Sequence, residues 1–195
     1  MAVGLNESQR SMARIIEQEF LAAGFNDVMV AAAIVNAKAE SNLDPRAAGD
    51  SGQSIGLFQL YSKGAGAGMS VAQREDPVLN TRRIIQEVKS NYGKRLRPYA
   101  EAASGSPTSV AEATALFTED IERPANGVLK GAERATKALA MFPAGVGGVK
   151  GLLTPHIPTG GTVGSSRGYW IAAISASALV VFGTTFYVAV KRATR

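Results

Sequence analysis

One carboxylate stands out by its setting. In residues 31–60 an alanine-rich, β-branched helical pattern runs into Glu40 and then into a polar, glycine-rich loop. That loop closes on the apolar segment Ile55-Gly56-Leu57-Phe58-Gln59-Leu60. A carboxyl where a buried helix ends faces apolar walls on one side and an open groove on the other. Desolvation there disfavours the charged form, raises the pKa and suits the group to donate a proton near neutral pH. A lone glutamate at a helix end is more often simply solvated; the surrounding residues argue for chemistry. Other chemistries fail. The only histidine, His156, lies in a Pro/Gly-rich stretch, which excludes a histidine-based triad or a histidine-rich metal site. Lys63-Gly64-Ala65-Gly66-Ala67-Gly68 lacks the Gly-Lys-Ser/Thr of a phosphate-binding loop and reads as flexible loop. Neither a metal nor a cofactor is expected.

The surrounding residues are Glu40-Ser41-Asn42, Ala48-Gly49-Asp50-Ser51-Gly52 and Ser54-Ile55-Gly56-Leu57-Phe58-Gln59, followed by Phe117-Thr118-Glu119-Asp120-Ile121-Glu122-Arg123-Pro124. Their order resembles the signature of the lysozyme-like superfamily, in particular phage tail lysozymes and lytic transglycosylases, over roughly residues 5–142. The resemblance implies an enzyme that cuts peptidoglycan between N-acetylmuramic acid and N-acetylglucosamine. Such cleavage needs a protonated acid at the leaving oxygen and something to stabilise positive charge at the anomeric carbon. Glu40 is the expected acid. Asp50, in the flexible loop, is the nearest second carboxylate, whereas Asp44 precedes Pro45 and reads as a turn residue. Without a second carboxylate, the transglycosylase route to a 1,6-anhydro product stays open. The resemblance also implies that Ser54 and Gln59 line the groove, Ser54 bonding Glu40 or a sugar N-acetyl group and Gln59 reading a hydroxyl or amide. Their plainer readings are a loop hydroxyl and a helix-start amide. Tyr61 is a further groove candidate. Glu122 is either part of the site or the partner of an arginine that braces the Glu40 helix.

The elements that must position these groups read as helices. The expected fold class is all-α, lysozyme-like with at most a small hairpin, plus one C-terminal transmembrane helix. Asn6 and Gln9 form a capping-box pattern before a helix that Gly24 ends. Asn26 or Asp27 starts the helix that delivers Glu40. Residues 44–68 read as loop. Asp76-Pro77 starts a helix reaching about Tyr92, and Ser104-Gly105-Ser106-Pro107 is a break. Thr108 or Ser109 is expected to cap a helix from Val110 to about Ile121, terminated at Pro124. Gly131 to Met141 reads as a last helix.

The expected layout is a lysozyme-like domain over 1–142, a Gly/Pro-rich tether over 143–167, a membrane span over 168–190 and a basic tail over 191–195. Residues 168–190 carry no charge, and about 20 apolar residues at 1.5 Å rise cross a core of roughly 30 Å. Tyr169, Trp170 and Tyr187 suit the interfaces. Lys191, Arg192 and Arg195 follow the span, against Arg167 just before it. That imbalance places the C-terminus in the cytoplasm and the domain in the periplasm. The N-terminus has no signal-peptide pattern. Cysteine is absent, which excludes disulfides and thiolate metal sites. The net charge of +5 suits an anionic partner, but no basic block interleaved with aromatics marks a nucleic-acid surface, so none is expected. The resemblance to phage tail lysozymes, taken with this topology, implies a virion-borne wall hydrolase acting during genome delivery, in company with other virion proteins. The rival is a structural or channel-forming virion protein whose lysozyme-like domain binds wall or aids assembly without catalysis.

Overall fold

The computed structural model describes residues 4–90 and 95–147. Among them the fold is mostly helical: α1 (Glu7–Ala22), α2 (Asp27–Ser41), α3 (Val71–Glu75), α4 (Pro77–Ser90), α5 (Arg97–Ala100), α6 (Pro107–Phe117) and α7 (Gly127–Met141). A π-helical turn, Thr118–Glu122, continues α6.

The second helix is the axis. From Val28 to Ala37 every residue is buried, as expected of a helix apolar on all faces. It packs against α1, α6 and α7. Phe20 and Phe58 each lie against Phe117, with ring centroids 6.4 and 6.3 Å apart, tying α1 and the loop to α6. Both caps expected in this region are present. Asn6 and Gln9 exchange hydrogen bonds of 2.9 and 3.0 Å at the start of α1, and Asn26 caps α2. Gly24 ends α1 at φ +89°, a backbone region open to glycine. Gln9 also reaches the far end of α2, its Nε2 donating to Asn42 Oδ1 at 2.8 Å.

The loop after α2 holds more structure than the single hairpin expected. Ala48–Gly49 (β1), Ser54–Ile55 (β2) and Leu60–Tyr61 (β3) form a three-stranded antiparallel sheet. Two-residue strands are too short for an alternating pattern to register. A second pair joins Ser104–Gly105 (β4) to Val146–Gly147 (β5). Phe142, at the end of the expected domain, and Val146, at the start of the expected tether, are both buried. Three helix starts also differ from expectation. The α3 helix, with its Ser70/Gln73 capping box, went unexpected in a glycine-rich stretch. Ser106 rather than Thr108 or Ser109 caps α6, because Pro107 sits comfortably in the first turn, where no N–H is required. The last helix begins at Gly127, not Gly131.

Two buried polar side chains clamp the small sheet. Arg74 Nη1 donates to Gln53 O at 2.6 Å and Leu60 O at 3.1 Å. Asn80 Nδ2 donates to Arg74 O at 2.7 Å and Ile55 O at 3.2 Å, and its Oδ1 accepts from Phe58 N at 3.1 Å. Gly56 lies directly beneath this clamp. With φ at +89°, a Cβ there would stand 2.1 Å from Arg74 O.

No helix among the described residues is long and apolar enough to cross a membrane. The expected span, 168–190, lies outside the described residues, as do most of the expected tether and the basic tail.

Candidate functional site

Glu40 occupies the last turn of α2, with Asn42 following in the left-handed conformation. Ser41 Oγ donates to Ala37 O at 3.0 Å and Leu57 O at 2.9 Å. One hydroxyl thereby ties the helix end to the Gly-Leu-Phe-Gln segment. This bond is the physical reason that two motifs separated in sequence occupy one place.

The carboxyl of Glu40 does not look onto bare apolar walls. Its Oε1 accepts from Arg134 Nη2 of α7, and Arg134 Nη1 donates to Glu122 Oε2. Glu122 stands at the end of the π-helical turn, just before Arg123 at φ +50°. Glu122 and Glu40 therefore meet on one arginine. Arg134 Nη1 also reaches Asn36 Oδ1 at 2.7 Å, which accepts from Thr118 Oγ1 at 2.7 Å as well. The Arg134 and Glu122 side chains are each 7% exposed, whereas Glu40 is 24% exposed. Glu40 is therefore the one carboxylate of this cluster open to solvent. Its Oε2 makes no hydrogen bond to a described residue. Two carboxylates share one guanidinium, and Glu122 Oε1 is buried without a hydrogen-bond partner among the described residues. Outside the cluster, Arg95 holds the π-helical turn through Glu119 at 2.6 Å and Asp120 at 2.7 Å.

Asp50, Ser54 and Tyr61 form a second group on the small sheet. Gly49, Ser54 and Tyr61 stand side by side in register. Ser54 Oγ donates to Asp50 Oδ2 at 2.5 Å rather than to Glu40, which corrects one of its two expected roles. Its neighbour on the short turn Asp50–Gly52 is an exposed carboxyl group whose oxygen accepts the hydrogen bond. Gln59 turns inward: Nε2 donates to Ala47 O at 2.9 Å and Gly56 O at 3.1 Å. Both amide hydrogens are spent holding the loop, leaving Oε1, which lies over Gly49, as its remaining polar atom. Tyr61 is 40% exposed. Among the described residues, no hydrogen bond or ion pair joins this group to Glu40.

Backbone strain gathers in the same place. Of the non-glycine residues at positive φ, Asn42, Leu43, Asp50, Ser51 and Gln59 all lie between Glu40 and the end of the loop. Such conformations cost free energy and persist where surrounding contacts over-determine them, often at working sites. A cavity of about 170 Å³ lined by residues including Leu21, Asn26, Val28 and Gly105 lies at the opposite end of α2 from Glu40. It takes no part in this chemistry. No group of side chains suited to a metal ion occurs among the described residues.

Arg134, Asn36 and Thr118 were not anticipated from the sequence. Asn36 did leave a signal, as the only polar residue between Val28 and Ala37 and one turn from Glu40. Arg134 left none, because its helix reads as an ordinary alanine-rich segment with mixed charges.

Comparison with known proteins adds one result. The profile of the phage tail lysozyme family matches residues 11–144. No curated protein and no solved structure gave a match. The matched stretch covers α2, the small sheet, the π-helical turn and α7, which are the elements that assemble the site, and the chain belongs to the phage tail lysozyme family.

Proposed function

We propose that this chain is a virion-associated enzyme that cleaves the glycosidic bond between N-acetylmuramic acid and N-acetylglucosamine in peptidoglycan. It would open the host wall locally during genome delivery. One observation carries the reading: Glu40 ends a buried helix with its side chain 24% exposed, Oε1 fixed by Arg134 and Oε2 making no hydrogen bond to a described residue. That oxygen is the proposed donor of a proton to the leaving glycosidic oxygen. As the proton departs, Glu40 becomes a carboxylate already paired with a guanidinium, so the developing charge meets a preorganised partner. The C–O bond then breaks, and positive charge develops at the anomeric carbon. Asp50, held by Ser54, is the proposed stabilising carboxylate. In the hydrolytic route a water molecule then adds to the anomeric carbon and gives its proton to Glu40, leaving a reducing end. If Asp50 does not serve, the substrate's own C6 hydroxyl attacks, returns its proton to Glu40 and leaves a 1,6-anhydro end. Ser54, Gln59 and Tyr61 are proposed to line the sugar groove, with Glu122 acting only through Arg134. Residues 168–190 are proposed as the membrane span, leaving the enzyme domain in the periplasm.

The second reading is a non-catalytic wall-binding or assembly module of a channel-forming ejection protein. It is favoured by the enrolment of Glu40 in an ion-pair cluster of the kind a bracing carboxylate makes. The deciding experiment compares the 195-residue chain with Glu40→Gln on purified peptidoglycan in mild detergent, by turbidity and by mass analysis of released fragments. Clearing by the wild type with a loss of about a hundredfold in the variant supports catalysis. Anhydro ends would identify a transglycosylase and reducing ends a hydrolase. No clearing, or equal clearing by both, would put the non-catalytic reading first.

A further inference from the structure

Asn36 is fully buried in the middle of α2, where an unsatisfied amide would be costly. Its hydrogen bonding is complete. Nδ2 donates to Ala32 O at 2.8 Å and Thr114 O at 3.3 Å, while Oδ1 accepts from Arg134 Nη1 and Thr118 Oγ1, each at 2.7 Å. Two carbonyls at one end and two donors at the other fix which end is nitrogen. Thr118 Oγ1 has a single proton and also lies 2.9 Å from Thr114 O. It therefore joins α6 and the π-helical turn to the same amide.

The placement of this amide has a consequence for Glu40. Asn36 and Glu40 stand four residues apart on one helix, so their side chains share a face. Arg134 meets both, Nη1 on the amide and Nη2 on the carboxyl. A guanidinium is planar, so fixing Nη1 also fixes the direction of Nη2. The amide is neutral and does not compete with Glu40 for the charge. A carboxylate at residue 36 would compete; an apolar residue would leave Arg134 to be aimed by Glu122 alone.

Resting on the reading of Glu40 as the acid, we infer that Asn36, locked by Thr118, is the positioning residue of the site. It acts through Arg134 to hold Glu40 Oε1 in one place and leave Oε2 to the substrate. Asn36 touches no reacting atom, so its loss should lower turnover without weakening substrate binding.

The test uses the full chain with Asn36→Leu, Thr118→Val and Thr118→Ser. Folding is checked by circular dichroism, and activity is read on soluble glycan fragments. Asn36→Leu should lower kcat by about 10- to 100-fold, the range for a reacting group displaced by an ångström or less, with KM within about twofold. Thr118→Val should lower it less, and Thr118→Ser, which keeps the hydroxyl, should restore it. Should Asn36→Leu fail to fold, the Thr118 pair carries the test. A second readout does not depend on activity. In ¹⁵N-labelled protein, rotation about the Arg134 Cζ–Nε bond should be slow in the wild type and faster in Asn36→Leu or Thr118→Val. Folded variants with wild-type kcat, or with unchanged guanidinium rotation, would overturn the inference. An inactive wild-type chain would remove the enzymatic reading instead, and the rotation measurement alone would then decide whether Asn36 and Thr118 aim Arg134.

Discussion

Removal of Arg134 offers a stringent check on the account of the cluster. In Arg134→Met, Glu122 loses its cation at a site where its side chain is 7% exposed, while Glu40 can still turn to solvent. A buried ion pair adds little net stability, but removing one partner strands the other and costs about 3–5 kcal/mol. In a domain of this size each kcal/mol moves the melting midpoint by roughly 2–4 °C. The expected fall is therefore about 6–20 °C. Most of that loss is the unpaired Glu122 charge, so the double variant Arg134→Met/Glu122→Gln should regain about half of it or more. The pH dependence has a definite sign. In the single variant, burial without a cation raises the folded-state pKa of Glu122 above its unfolded value. The folded form then binds protons more readily, and stability improves as pH falls from neutral toward the unfolded carboxylate range. The assay is thermal unfolding of the three proteins followed at 222 nm between pH 7.5 and about 4.5. A single variant melting within about 2 °C of wild type at pH 7, or a double variant no better than the single, would refute the reasoning.

Other outcomes follow from particular contacts. Gly56→Ala forces a side chain to within 2.1 Å of Arg74 O at a φ of +89°; combined overpacking and strain should cost about 2–4 kcal/mol in urea unfolding. Asp50→Asn keeps a residue type that tolerates the φ of +49° at that position, so its melting midpoint should stay near wild type. Its turnover should fall by about tenfold or more if Asp50 stabilises the cationic intermediate, and unchanged turnover would leave the anhydro route. The Tyr99 phenol, raised by burial and by Glu112, has its pKa pushed up to about 12. Its contribution to stability is complete below about pH 10 and lost as pH rises through about 12. Absorbance titration at 295 nm should show a late-titrating component that is lost in Tyr99→Phe and moves earlier in Glu112→Gln.

Much of the helical framework can be read locally because it is decided locally. A capping box, a glycine after a helix, or Asp76 ahead of Pro77 works through bonds spanning three or four residues, and Asp76 Oδ1 does accept from Val78 and Leu79 N at 2.9 Å. The burial of α2 follows from its own composition, since a helix with almost no polar face has nowhere else to go. Glu40 as the carboxylate at the end of that helix, and the motif order that marks the family, are likewise properties of the linear chain. The small sheet was obscured because two-residue strands depend on Arg74 and Asn80, which hold them from another part of the chain. The partners of Glu40 were decided only in three dimensions. Arg134 lies on the last helix, and nothing in its neighbourhood records that α7 will cross the end of α2. Ser54 was free to serve Glu40 or the substrate until the turn at Asp50 brought a second carboxylate within 2.5 Å. An ion pair or a hydroxyl bond depends on a few ångströms between groups far apart in sequence, and that separation is set by how the helices pack rather than by any local pattern of residues.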